Sequence, residues 1–360
     1  MRILHVVNKL NERGDGIANV CVDLACEQAS LDSSVAIACA EGGFVPLVTQ
    51  NGVRHFPLDL IWRTPIDLVR SVRSVRRAID AFAPDILHAH TMRAVLVARL
   101  ARPRRGPRVV ATVHNEYQRG VFLMGLAHRV VGVSTAVSGA MRSRGISARR
   151  ISTVPNGIVG SARRTGAPPS PTGWQAPQAL ASQSIIAIGA VSERKGADVL
   201  IDAFDKIAAE FPYAELYFIG NVDWDEAPRR AAASNAGGRI HFLGFHSEPQ
   251  LFLREATVFA LASRRDPFPL VLLEALETGT PIVASDVDGI PEALAGGDAG
   301  ILVPVDDPVA LGAAIARLLE SEALREQYGR AARARSQAYS VAKMTSGYAT
   351  IYDEVTAGSG

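Results

Sequence analysis

Short apolar runs of strand length alternate with helical segments along nearly the whole chain, and they do so in two series. In the first, Ile3–Val7, Val35–Ala40, Ile86–His90, Val109–His114, Val130–Val133 and Ile151–Val154 read as strands, with helices at Asn19–Ser30, Asp67–Phe82, Arg93–Ala101 and Ala136–Arg144. Parallel strands need crossovers of about a dozen residues or more, usually helical, so this alternation predicts a doubly wound parallel sheet. The second series begins at Ile185. Its candidate strands are Ile185–Ile188, Glu215–Ile219, Ile240–Leu243, Val258–Ala260 and Ile282–Ala284, with helices at Ala197–Glu210, Pro249–Arg254, Leu270–Thr278, Pro291–Leu294 and Pro308–Ser321. Residues 160–184, rich in Pro, Ser, Gly, Thr and Ala, read as linker and domain entry, and residues 323–355 as a helical tail broken near Tyr339-Ser340. A chain of 360 residues is long for one core. The expectation is α/β architecture: two doubly wound, Rossmann-like domains, 1–159 and 185–339, facing a central cleft lined by strand C-terminal ends, where ligands bind.

Two carboxylates, Asp266 and Glu274, stand eight positions apart around a predicted helix start. Pro269 suits the first helical position, where a missing N–H costs nothing. The free amides from Phe268 to Val271, with Leu270 opening the helical spacing, and the positive helix end would face an anion such as a diphosphate. Upstream, Gly189 follows a strand and permits a tight turn, and Arg194 and Lys195 precede the next helix, within reach of the same anion. Gly14-Asp15-Gly16 comes before the first helix, where glycine lets backbone amides approach a diphosphate. Asn19 breaks the G-x-G-x-x-G pattern, so NAD is not expected. His114 ends a strand. His88 and His90 share a strand face without nearby acidic or thiol partners in the sequence, so no metal is expected.

The overall charge of +2 conceals an asymmetry. Residues 1–159 carry 21 Lys and Arg against 11 Asp and Glu, a net +10, whereas residues 160–360 carry 17 against 25, a net −8. The first half is therefore suited to something anionic. Arg70, Arg73, Arg76 and Arg77 recur at helical spacing opposite Leu68, Val72, Val75 and Ile79, a face that is either simply solvated or lies on an anionic membrane surface. Nucleic acid fits poorly because aromatic residues are not interleaved with the basic ones. No apolar run approaches the roughly 20 residues of a membrane span. The first strand lacks the length and cleavage site of a signal peptide. Cys21, Cys26 and Cys39 show no metal or redox spacing, which fits a cytoplasmic, at most peripherally membrane-associated, protein.

In order and spacing these blocks resemble the family 4 retaining glycosyltransferases, also called group 1, which have the GT-B fold. Asp266 and Glu274 match the family's E-x(7)-E signature, with Asp in place of the first Glu. Ile188–Gly196 is similar to its G-R-x(5)-K-G block, with Ala190 where the Arg usually stands. Arg239–Ser247 resembles the segment whose loop approaches the nucleotide base, which brings in Gly244, Phe245 and His246. Asp288–Glu292 resembles a G-G-x-P-E turn with Asp288 for the first Gly. The resemblance implies a nucleoside diphosphate sugar as donor substrate, no cofactor or metal, and a glycan or lipid-linked acceptor. It makes His114 and Asp266 the catalytic pair. Gly16, Arg194, Lys195, Gly244, Phe245, His246, Phe268, Pro269, Leu270, Val271 and Glu274 become donor-binding residues, and the tail helix from about 340 returns to the first domain. Two alternatives remain open at this point: a nucleotide-sugar epimerase of the same fold, and a non-catalytic partner protein, the latter suggested by Ala190 and Asp266.

Overall fold

A computed structural model describes residues 1–11, 15–165 and 180–357. The chain divides into two units, one made of Met1–Ala167 with Tyr339–Gly360, the other of Pro168–Ala338.

The first unit is built on a seven-stranded sheet in the order β3-β2-β1-β4-β5-β6-β7. The strands are β1 (Arg2–Lys9), β2 (Ser34–Ala40), β3 (Arg54–Pro57), β4 (Ile86–Ala89), β5 (Arg108–Val113), β6 (Arg129–Gly132) and β7 (Ile151–Thr153), and each neighbouring pair is parallel. The central strands read as nearly unbroken apolar runs because they are buried on both faces. The chain order reverses between β1 and β4, the place where a doubly wound sheet opens a crevice past its strand ends.

Differences from the expected elements have local causes. The first helix begins at Gly16 rather than Asn19, because the Asp15 carboxylate caps the amides of Ile17 and Ala18, both at 3.1 Å. Strand β3 and the helix Val45–Gln50 were not foreseen. The β3 sequence Arg-His-Phe-Pro carries a proline and is tolerated because it lies on the sheet edge. The tail breaks at Gln337–Tyr339, and its last helix, Val341–Ala357, lies on the first sheet. There Tyr348 and Tyr352, each 1% exposed, reach Thr112 and His88 at 2.7 Å. A second tie is buried: Asp23 accepts from Arg163 at 2.7 and 2.9 Å and from Ser161 at 2.6 Å.

The second unit carries a six-stranded parallel sheet in the order β10-β9-β8-β11-β12-β13, reversing between β8 and β11. Its strands are β8 (Gln183–Ile188), β9 (Ala214–Ile219), β10 (Ile240–Gly244), β11 (Val258–Leu261), β12 (Ile282–Ser285) and β13 (Ile301–Val303). The three-residue β13 is too short to leave a pattern. The unforeseen helix Glu226–Ala233 hides behind Pro228, which the first helical turn tolerates. The helix Leu270–Thr278 spans the expected residues. Pro269, however, is its cap and not its first helical residue: ψ is 124°, and its carbonyl accepts the first bond, from Leu272 N at 3.2 Å.

Candidate active site

In the second unit two loops leave neighbouring strands at the reversal point. One follows β8, turns at Gly189 (φ +126°) and tightens into a 3-10 turn over Glu193–Lys195. The other follows β11 and runs through Ser263 to Asp266. They meet in an ion pair: Lys195 Nζ donates to Asp266 Oδ2 at 2.5 Å, with the two side chains only 18% and 8% exposed. Ser263 Oγ donates to the same carboxylate oxygen at 3.3 Å. The Asp266 amide donates to Asp288 Oδ2 at 2.8 Å. Asp288 itself takes the left-handed backbone (φ +51°) otherwise suited to the glycine of the G-G-x-P-E pattern.

Two glycines make this convergence possible. A Cβ on Gly196 (φ +66°) would lie 2.0 Å from the Ala262 carbonyl oxygen, and one on Gly289 2.0 Å from that of Pro267. Backbone against backbone leaves no room for a side chain to give way.

Sequence reasoning passed over Arg264, which organises both loops. Its guanidinium grips Asp198 with two bonds (2.9 and 2.7 Å), Asp306 at 2.6 Å and the Glu193 carbonyl at 2.6 Å. The paired Asp198 carboxylate raises the Arg264 pKa above its ordinary value. Nothing in Ser-Arg-Arg-Asp separates this arginine from its exposed neighbour Arg265. Arg264→Ala is expected to weaken nucleotide binding about tenfold, the equivalent of one charge-assisted contact. The loosened 193–198 turn would no longer hold Lys195 against Asp266, and calorimetric titration would detect the loss.

The other expected donor residues of this unit lie in loops and helix starts that follow strands of the same sheet. Arg194 is exposed, and its guanidinium donates to the Arg265 carbonyl at 2.9 Å. Phe268 and Pro269 are buried, Leu270 and Val271 partly so, at the start of their helix, and Glu274 is 9% exposed two turns along. Gly244 (φ +74°) turns the chain after β10; His246 then bonds the Leu243 carbonyl at 3.2 Å and sets its ring edge-on to Phe252. A cavity of about 20 Å³, room for one water, lies beside Gly189, Ala190 and Lys195. An ammonium has three N–H donors, and Asp266 engages one, so Lys195 keeps donors for an anion.

The first unit places His114 immediately after β5, partly exposed, and joins it to buried neighbours. His114 Nε2 meets His90 Nδ1 at 3.2 Å; His90 Nε2 meets His5 Nδ1 at 3.0 Å; His5 Nε2 meets Gln28 Oε1 at 2.8 Å. Burial pushes the pKa of His5 and His114 down to about 4 and holds those of His88 and His90 well below the ordinary value. His5, His90 and Cys21 bring three ligand-type atoms within 4.8 Å of one another. The two facing nitrogens there share one hydrogen bond, and burial raises the thiol pKa. Gly16 is exposed at the start of its helix. The amides behind it, those of Ile17 and Ala18, already serve Asp15, whose pKa burial raises. Gly14 lies outside the described residues.

Comparison with known proteins decides the family. The model described as Glycosyltransferase Family 4 matches residues 14–159, and that of Glycosyl transferases group 1 matches residues 176–335. A phosphatidyl-myo-inositol mannosyltransferase of Mycolicibacterium smegmatis is 31% identical over 79% of this chain and 75% of its own length. The chain belongs to the family 4, group 1 glycosyltransferases. A protein of the same description from Mycobacterium tuberculosis H37Rv is also 31% identical, over 77% and 75%. In the solved structures, Anabaena HepE in complex with UDP and glucose superposes with a TM-score of 0.81 at 21% identity, covering 98% of this chain and 99% of that one. This glycosyltransferase thus has the GT-B fold, and among its described residues no helix is long and apolar enough to cross a membrane.

Proposed function

We propose that this glycosyltransferase moves a sugar from a nucleoside diphosphate to a glycolipid or lipid-linked glycan, with retention at the anomeric carbon and without a metal. The reading rests on the Lys195–Asp266 pair at the reversal point of the second sheet. There a cation with unused donors, Arg194 beside it and the opening amides of helix Leu270–Thr278 form an electrostatic seat for a leaving diphosphate. Glu274 holds the ribose hydroxyls, and the Gly244–His246 loop approaches the base. Asp266 steadies the sugar as positive charge develops at its anomeric carbon, and His114 holds a sugar hydroxyl. A departing phosphate oxygen takes the acceptor proton as the new glycosidic bond forms and the bond to phosphate breaks. Fixed cations and a helix end carry the charge that a metal would otherwise neutralise.

The acceptor class draws on the mycobacterial relatives, whose name specifies phosphatidyl-myo-inositol, and on helix Pro65–Phe82. Its Arg70 pairs with Asp67 and Arg76 with Asp80, whereas Arg73 and Arg77 have no ion-pair partner among the described residues. Ile66 and Val69 stand 62% and 46% exposed on the same helix. Exposed apolar and cationic residues together suit the surface of an anionic bilayer.

Calorimetric titration with UDP, GDP, ADP and their common sugars is expected to give saturable binding of one nucleotide. The matching sugar nucleotide should then turn over in EDTA to an α- or β-product that keeps the donor's configuration by NMR. Binding to none would favour a non-catalytic protein. Sugar interconversion without acceptor would identify an epimerase, inversion would overturn retention, and activity lost in EDTA and restored by a divalent ion would overturn metal independence.

A further inference from the structure

The imidazole row behind His114 has a direction. Each buried ring in it is neutral near pH 7, because burial depresses its pKa, so each carries a single N–H. Gln28 stands at the inner end. Its Nε2 donates to the Tyr352 hydroxyl at 3.3 Å, and the Tyr352 hydroxyl lies 2.7 Å from His88 Nδ1. His88 Nε2 in turn meets Thr112 Oγ1 at 2.7 Å. With its amide nitrogen so engaged, Gln28 offers Oε1 to His5, and a carbonyl oxygen can only accept. With the Gln28 amide in this orientation His5 bears its hydrogen on Nε2, leaving Nδ1 as an acceptor for His90 Nε2–H. The same logic repeats once more: His90 Nδ1 accepts from His114 Nε2–H.

We infer that Gln28 is a positioning residue that sets the tautomer of His114 through His5 and His90, holding its Nδ1 unprotonated to accept a hydrogen bond from a substrate hydroxyl. Among the described residues nothing hydrogen-bonds His114 Nδ1. The adjacency that makes this possible is topological. β1, β4 and β5 are neighbours in the sheet, so His5 in β1, His90 just after β4 and His114 just after β5 form one stacked row, with centroids 5.3 and 5.4 Å apart. A neutral acceptor selects a sugar hydroxyl over a phosphate oxygen, which has no hydrogen to give. This deepens the proposed sugar-holding role of His114 and rests on it only for its substrate; the tautomer itself does not depend on that role.

The test is long-range ¹⁵N–¹H NMR of the histidine side chains in the full chain. The native protein is expected to show His114 in the Nε2–H form. In Gln28→Leu the His5 Nε2–H would lose its acceptor. An orphaned buried donor is costlier than an orphaned lone pair, so the row should reverse and His114 move toward Nδ1–H. His90→Phe keeps a ring but interrupts the row, and Gln28→Leu added to it should then leave His114 unchanged. The proposal fails if the native protein carries Nδ1–H, or if the His114 tautomer is the same in folded Gln28→Leu as in the native chain. It fails also if Gln28→Leu still shifts His114 when His90 is Phe. Turnover separates the two readings: if His114→Ala leaves kcat unchanged while the tautomer responds to Gln28, the row stands and the sugar contact falls.

Discussion

Lys195→Ala should weaken nucleotide diphosphate binding roughly 10- to 100-fold, the range of one to two charge-assisted contacts. Two effects add. The cation leaves the strand-end site, and Asp266, 8% exposed, is left as an uncompensated carboxylate beside the proposed diphosphate seat. Asp266→Ala is expected to behave differently. Lys195 loses its carboxylate and can turn fully to the phosphates, so binding is kept or tightened while kcat falls, because the group proposed to steady the sugar is gone. The split between dissociation constant and kcat, measured by calorimetry and steady-state kinetics on both variants, tests the assigned roles. Unchanged turnover in both would sink the assignment of this site.

The first unit is expected to lose stability steeply as pH falls from about 6.5 to 4. His5, His88, His90 and His114 all have pKa values held below the ordinary one of 6.5 by burial, so between these limits the unfolded chain binds protons that the folded unit does not. Stability is thus complete above 6.5, declines through the window and levels off only once the folded histidines are themselves protonated. His5 alone, fully buried and moved from 6.5 to about 4, accounts for about 3 kcal/mol, and a typical domain has only about 5–15 kcal/mol in total. Hydrogen exchange followed by mass spectrometry at pH 7.5 and 5, corrected for intrinsic rates, would locate the effect. Protection should be lost in β1, β4, β5 and the tail helix and kept in the second unit, whose His241 and His246 are only partly buried. Equal protection in β1 at both pH values would contradict the neutral, buried state of His5, His88 and His90.

The sheet architecture was readable because strands buried on both faces, such as Val109–Val113 with Thr112 its one polar residue, are nearly unbroken apolar runs, and because the crossovers between parallel strands need helices of visible length. One warning was also present. His5 interrupts an otherwise apolar strand, which marks a buried polar group in need of a partner. The site was readable to the extent that glycine turns and helix starts are local. Gly189, Lys195 and the Leu270–Thr278 helix could be placed from spacing, and Gly196 from the resemblance to the family's block.

Which polar group meets which was another matter. Lys195 and Asp266 are 71 residues apart and touch only because β8 and β11 are neighbours. Gln28 reaches across 324 residues to Tyr352, and His5 across 85 to His90. Local spacing carries no information about such pairings. The sequence alone therefore determined two parallel α/β sheets and the loops of the candidate site, since burial and turn geometry act within a few residues. Only the tertiary structure decided the partners, because strand order in a doubly wound sheet brings distant segments side by side, and the cost of burying an unpaired charge or imidazole then selects the contacts that remain.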